Sequence, residues 1–232
     1  AGNATFVARE AGTDGNNLQV STCPNAAAYE QEGATTVNDA STAVGDTVVV
    51  AASGAALNVG DIISFSTTAA TNDYDDGEQY RVTNISTNDV TIVQHPRGTG
   101  GLKRVLTDGS NIRRRWKYYD AVDGAPGTST YVSERNGAND EIHVVVVDED
   151  GGISGVPGTI LETFSKLSKA SDAKDPQGND NYYPNVIYTK SEYIYWTKHN
   201  SSGTNWGNAA SGTTFTAVNT PTLSSMSGGS NG

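Results

Sequence analysis

The run Ile142-His143-Val144-Val145-Val146-Val147 constrains this chain more than any other feature. It carries one polar side chain and four consecutive valines, whose β-branched side chains are stiff at χ1 and suit a pleated surface. A half-exposed strand would alternate apolar and polar residues. This run does not, so both of its faces must be covered, and it predicts a strand inside a layered sheet. The rest of the chain has to supply the cover.

A polar loop from Asp148 to Gly155 follows the run. Beyond it, Ile160, Leu161, Phe164, Leu167, Ala170 and Ala173 recur at helical spacing. Pro157 suits a first turn, Thr159 with Glu162 has capping-box spacing, and Lys174-Asp175-Pro176 provides a stop. The pattern predicts a helix over 159–173, the main helix of the chain. Val186-Ile187-Tyr188 and Tyr193-Ile194-Tyr195-Trp196 read as two further strands, and Thr5–Arg9 and Leu18–Ser21 as two early ones.

Between Val44 and Gln94 the pattern changes. Val44-Gly45-Asp46 precedes Thr47–Val50, and Val59-Gly60-Asp61 precedes Ile62–Phe65, each a tight turn feeding a β-branched run. Tyr80–Ile85 and Val90–Val93 add two more short strands, the signature of a small antiparallel barrel or sandwich. With Gly 26 and a single Met, turns outweigh long helices. The expected fold is therefore α+β and β-rich, with a small antiparallel barrel or sandwich module beside a mixed α/β unit holding one main helix. Residues 1–40 would give strands to the α/β unit, 41–100 the barrel module as an insertion, 101–200 the mixed unit, and 201–232 a flexible tail.

Charge narrows the function. Lys+Arg 15 against Asp+Glu 26 gives a formal net charge of −11 and a pI of about 4.6. Phosphate neutralisation needs Lys and Arg, so nucleic acid is not an expected partner, and anionic membrane surfaces are disfavoured for the same reason. No apolar run approaches the roughly 20 residues that span a bilayer. Cys23 is the sole cysteine and reads as a small buried hydrophobe.

Chemical motifs fail one by one. Gly151, Gly152, Gly155 and Gly158 fit neither phosphate-binding fingerprint, and Asp148, Glu149 and Asp150 would repel a phosphate. Neither that loop nor Asp73, Asp75 and Asp76 has calcium-loop spacing. Gly152-Ile153-Ser154-Gly155-Val156 lacks the last glycine of a nucleophile elbow. His95, His143 and His199 have neither triad nor zinc spacing. No catalytic, cofactor-binding or metal residue is predicted. One constellation remains: Arg113, Arg115 and Lys117 alternate on one face of a strand, with Ile112, Arg114, Trp116 and Tyr118 on the other. A basic stripe on an acidic chain is a candidate subunit interface.

The segment Asp140–Gly151, with Gly158–Glu162, Ser171–Lys174, Asn181–Tyr183 and Lys190–Tyr195, resembles the tail sheath proteins of large contractile-tailed phages. Trp116–Tyr118, Asp123–Ser129 and Gly15–Val20 extend the likeness, whose strong part covers roughly residues 112–196. The resemblance implies a virion structural protein, assembled in the host cytoplasm as stacked rings around a tail tube. Contraction of the sheath drives the tube through the host envelope for genome ejection, without catalysis, nucleotide or cofactor. Its partners would be other sheath subunits and the tail tube, or the equivalents in a related bacterial contractile machine. Sheath subunits are usually longer, with terminal arms that exchange strands between neighbours. The chain is therefore expected to be an internal fragment and a monomer in isolation. A host-surface or glycan-binding virion module is the alternative, given Tyr 11 and the turn-rich module.

Overall fold

The computed structural model describes residues 5–231. In chain order the elements are β1 (Phe6–Ala8), β2 (Leu18–Cys23), α1 (Ala26–Tyr29), β3 (Glu30–Thr36), β4 (Val48–Val50), β5 (Ile62–Ala69), β6 (Gln79–Ser86), β7 (Asp89–His95) and β8 (Ser110–Arg115). They continue with α2 (Thr130–Ser133), β9 (Glu141–Asp148), β10 (Thr159–Ser168), α3 (Tyr183–Lys190), β11 (Ile194–Trp196) and β12 (Thr222–Ser225). The fold is α+β and β-rich, and it divides into two compact units. One comprises the residues up to Tyr29 and those from Asp120 onward; the other is Glu30–Tyr119.

The first unit is built on an antiparallel sheet ordered β10-β9-β2-β12, with a separate ribbon of β1 and β11. The valine run forms β9. Val144 and Val146 face the main core with Leu18, Val20 and Ile142, while Val145 and Val147 are buried on the opposite face. The strand is covered on both sides, as the missing alternation requires.

The helix expected over 159–173 is absent: 159–168 is a strand and 169–172 is bend and turn. β10 pairs with β9 through two bulges, one between Ile160 and Glu162 and one between Phe164 and Leu167. A bulge inserts one extra residue and resets which face the next side chain takes. Leu161, Phe164 and Leu167 therefore all pack on the core although they lie three apart. A twice-bulged strand imitates the period of a helix. Lys166 takes φ 51° in the second bulge, a left-handed conformation that would not suit a helix interior.

The helix lies later, in α3, where Val186–Tyr188 reads as a strand from its β-branched residues. Pro184 sits in its first turn, and Tyr183, Val186 and Ile187, spaced i, i+3, i+4, form the buried face. Core burial outweighs the weak β preference of Val and Ile here.

The segment 201–232 is expected to be a flexible tail, but its described residues, 201–231, are packed. Trp206, Ala210 and Phe215 enter the core of the first unit, and β12 pairs with β2. Gly229 and Asn16 exchange two hydrogen bonds of 2.8 and 3.0 Å. Gly229 has no room for a side chain: a Cβ would stand 2.0 Å from the Gly12 carbonyl oxygen. A few well-spaced apolar anchors suffice to dock a polar, glycine-rich segment.

The second unit is larger than the 41–100 module expected, because β3 and β8 pair with each other and β8 with β5. Its antiparallel sheet runs β3-β8-β5-β6-β7-β4. The bridge Val37↔Ala51, with Asn38 N–H bonded to Val50 O at 2.8 Å, then joins β3 to β4 and closes a six-stranded barrel. Phe65, Tyr80, Ile92 and Ile112 fill its interior. The two Val-Gly-Asp turns have one geometry. Gly45 and Gly60 have φ of 96° and 98°, and the Asp46 and Asp61 carboxylates accept from the N–H of Ala43 and Asn58 at 2.6 and 2.8 Å.

Candidate interaction site

The basic stripe lies on β8 and just beyond it. Arg113 is only 7% exposed. Its Nη2 is bonded to Asp76, and its Nη1 lies 3.9 Å from Glu30 Oε1. Burial and the adjacent Arg115 charge lower its pKa. Its guanidinium carbon stands 4.7 Å from the centre of the Tyr74 ring, and the Tyr74 hydroxyl accepts from Gly33 N–H at 2.8 Å. Arg115 Nε donates to Glu30 Oε2 at 2.5 Å. The structure thus joins Arg113 and Arg115 to Glu30 of β3 and Asp76 of the β5–β6 loop, strapping that loop across the barrel wall. Lys117 lies beyond the strand, its ammonium 5.0 Å from the Tyr118 ring and its stem against Gly60, where a Cβ would meet Cδ at 2.4 Å.

The opposite face of β8 points into the barrel. Arg114 is fully buried, donating from Nη1 to Ala56 O at 3.2 Å and from Nη2 to Gln31 Oε1 at 3.3 Å. Asp61 is buried nearby, and loss of hydration raises its pKa to about 7 against the opposing Asn58 N–H and Arg114 charge. Two copies of one turn thus differ in environment: Asp46 is partly exposed, while Asp61 is enclosed.

The acidic loops do structural work. Burial of Asp148 opposes ionisation, but donors from Ser154 and Ile153 outweigh it and hold the carboxyl below its ordinary range. Asp73 accepts from the Thr67 and Thr71 hydroxyls, Asp75 from Gly77 N–H at 3.0 Å, and Asp76 is taken by Arg113. These three carboxylates diverge to different partners. Among the described residues no group of three or more His, Cys, Asp or Glu side chains is placed to hold a metal ion, and no helix is long and apolar enough to cross a membrane.

The histidines are separated. His143, fully buried in β9, accepts at Nδ1 from Lys166 N–H at 2.9 Å, which leaves Nε2 to donate to Gly124 O at 3.0 Å. Burial lowers its pKa to about 4, so the ring is neutral. His199 lies among Tyr182, Tyr183, Trp196 and Trp206. Trp196 Nε1 donates to the Tyr183 hydroxyl at 3.0 Å, and that hydroxyl lies 2.7 Å from His199 Nδ1. Burial lowers the His199 pKa and raises that of Tyr183. Cys23 is buried, its thiol 3.5 Å from Asn25 O.

Sequence reasoning passes over three further groups. Lys169 is fully buried, with Nζ donating to Pro24 O and Asn139 O at 2.6 and 2.7 Å, and burial lowers its pKa to about 8. Asp140 accepts from Ser129 N–H, Ser129 Oγ and Ser168 Oγ at 2.8, 2.8 and 2.5 Å. Arg9, Tyr188 and Tyr195 form an aromatic–cationic ladder at the surface. Only the ladder has a trace in the sequence, in the density of tyrosines from Tyr182 to Tyr195.

Compared with known proteins, the chain matches no family model, no curated protein and no solved structure.

Proposed function

We propose that the chain is part of a contractile tail sheath subunit, a structural virion component that acts through contacts with neighbouring copies and a tail tube. The observation carrying this reading is the outer edge of β10. At its far end that side is bridged by Asn181 and Tyr182, with the Ser168 N–H bonded to Asn181 O at 2.8 Å. Along the rest, among the described residues, no strand pairs with it, and Ile153, Val156 and Ile160 are exposed at its start. An open strand edge presents backbone N–H and C=O groups in position to accept another strand, and apolar side chains beside it gain from being covered. The sheath-like segment 140–151 supplies β9 and the turn after it, directly beneath this edge.

A sheath that contracts without nucleotide stores energy in a metastable lattice and exchanges one set of subunit contacts for a better one. Such a subunit needs a rigid body, and β9, buried on both faces, is its rigid centre. Within this reading Lys117 of the basic stripe would meet an acidic neighbouring copy, while Arg113 and Arg115 serve the barrel itself. The protein would reside in the virion tail, after assembly in the host cytoplasm. Electron microscopy of the full-length product with its tube protein is the test. Helical tubes that are lost on Ile160→Asp are expected, whereas a full-length product that never assembles around a tube refutes the proposal. The isolated chain should sediment as a monomer.

A further inference from the structure

The ribbon of β1 and β11 buries Phe6 and Ile194 and turns Val7, 43% exposed, to the other face opposite Tyr195. Arg9, two residues beyond Val7, continues that face. Its guanidinium carbon stands 4.3 Å from the centre of the Tyr195 ring, and its Nη2 donates to the Tyr188 carbonyl. The rings of Tyr195 and Tyr188 follow 5.9 Å apart with a tilt of 34°, and Tyr188, on α3, is 66% exposed.

Arg104, Arg113 and Arg115 each reach a carboxylate, but no carboxylate among the described residues lies within ion-pair range of Arg9. Its Nη1 has no hydrogen-bond partner among those residues. A guanidinium fixed by stacking and one backbone bond, with donors left over, is pre-organised for a carboxylate. Beside it lies a flat aromatic ring in water. The ligand that pairs these two features has an apolar face, polar edges and one acidic group.

We propose that this ladder binds an acidic saccharide of the hexuronate type. The C–H face of the sugar would lie on Tyr188, its hydroxyl edges would stay in water, and its carboxylate would take Arg9 Nη1. The site lies in the first unit, outside the barrel, and does not depend on the sheath reading.

The test is NMR titration of the chain with methyl glucuronide and with methyl glucoside, its neutral counterpart. The glucuronide should bind at least about tenfold tighter, the worth of one charge-assisted hydrogen bond. Tyr188→Ala and Arg9→Gln should each weaken it about tenfold, and binding should fall with salt. Tyr188→Ala removes an exposed ring, so an unchanged melting temperature separates loss of binding from loss of folding. Several outcomes would overturn the proposal: no shift at millimolar sugar, equal binding of the neutral sugar, acetate binding as tightly as the glucuronide, an acidic peptide outcompeting it, or full binding by Tyr188→Ala.

Discussion

Phe215→Ala tests whether the last thirty or so residues belong to the core or trail from it. Phe215 is fully buried among the core side chains of the first unit. A phenylalanine buries roughly 150–250 Å², which at about 25 cal/mol per Å² corresponds to about 4–6 kcal/mol. Alanine keeps the Cβ and the surroundings relax in part, so the expected loss is about 3–5 kcal/mol. Domains of this size have about 5–15 kcal/mol in all, so the loss is a large share. Urea denaturation followed by tryptophan fluorescence measures it, because Trp196 and Trp206 lie in the same unit. Hydrogen exchange should show β2 and β12 losing protection together, since they pair. Thr220→Ala, at an exposed position of the same segment, should change stability by less than about 0.5 kcal/mol. If Phe215→Ala behaved like that control, the packing of the segment would be refuted.

Two predictions concern pH, and their signs oppose. His143 is held neutral by burial with a pKa of about 4, below the ordinary 6.5, so the native first unit binds fewer protons than the unfolded chain. Its contribution is complete above the unfolded pKa and is lost as pH falls toward about 4, on the order of 3 kcal/mol in total. His143→Gln should flatten that dependence in urea melts run from pH 7 to pH 4; an unchanged slope would show that the ring is not the titrating group. Asp61, raised to about 7, behaves in reverse: its contribution is complete below about 3.8 and is lost as pH rises through about 7, on the order of 4 kcal/mol. Asp61→Asn should therefore gain on the parent chain between pH 4.5 and pH 8, and a constant difference across that range would sink the argument.

The sequence reveals strands wherever one residue type decides the matter. Four valines fix β9, and two Val-Gly-Asp turns fix β4 and β5, because β-branched burial and glycine at positive φ are local requirements. It misleads where a tertiary feature rewrites the local period. The bulges of β10 turn a strand's spacing of two into three at Leu161, Phe164 and Leu167, and nothing within the segment distinguishes that from a helix face. The docked C-terminal segment is illegible for another reason. Trp206 and Phe215 are diluted among Ser, Gly, Asn and Thr, so the density of apolar residues is low even though each one is placed to be buried.

The charged side chains show the same limit at the candidate sites. Alternation along β8 tells correctly that Arg113 and Arg114 face opposite ways, yet it cannot tell what each meets. Arg114 points into the barrel, where Ala56 O and Gln31 Oε1 accept from it and Asp61 is buried nearby; Arg113 points outward and is covered by the loop that carries Tyr74 and Asp76. Both pairings come from partners distant in sequence, and closing a loop of that length costs only a few kcal/mol of chain entropy. Arg9 has the opposite history. Its neighbours in space are two tyrosines and a backbone carbonyl, so its charge is positioned by the fold without being neutralised by it. In a chain where acids outnumber bases, no carboxylate among the described residues is placed there. That is the physical reason to look for an anion at Arg9 rather than at Arg113 and Arg115, which already hold carboxylates.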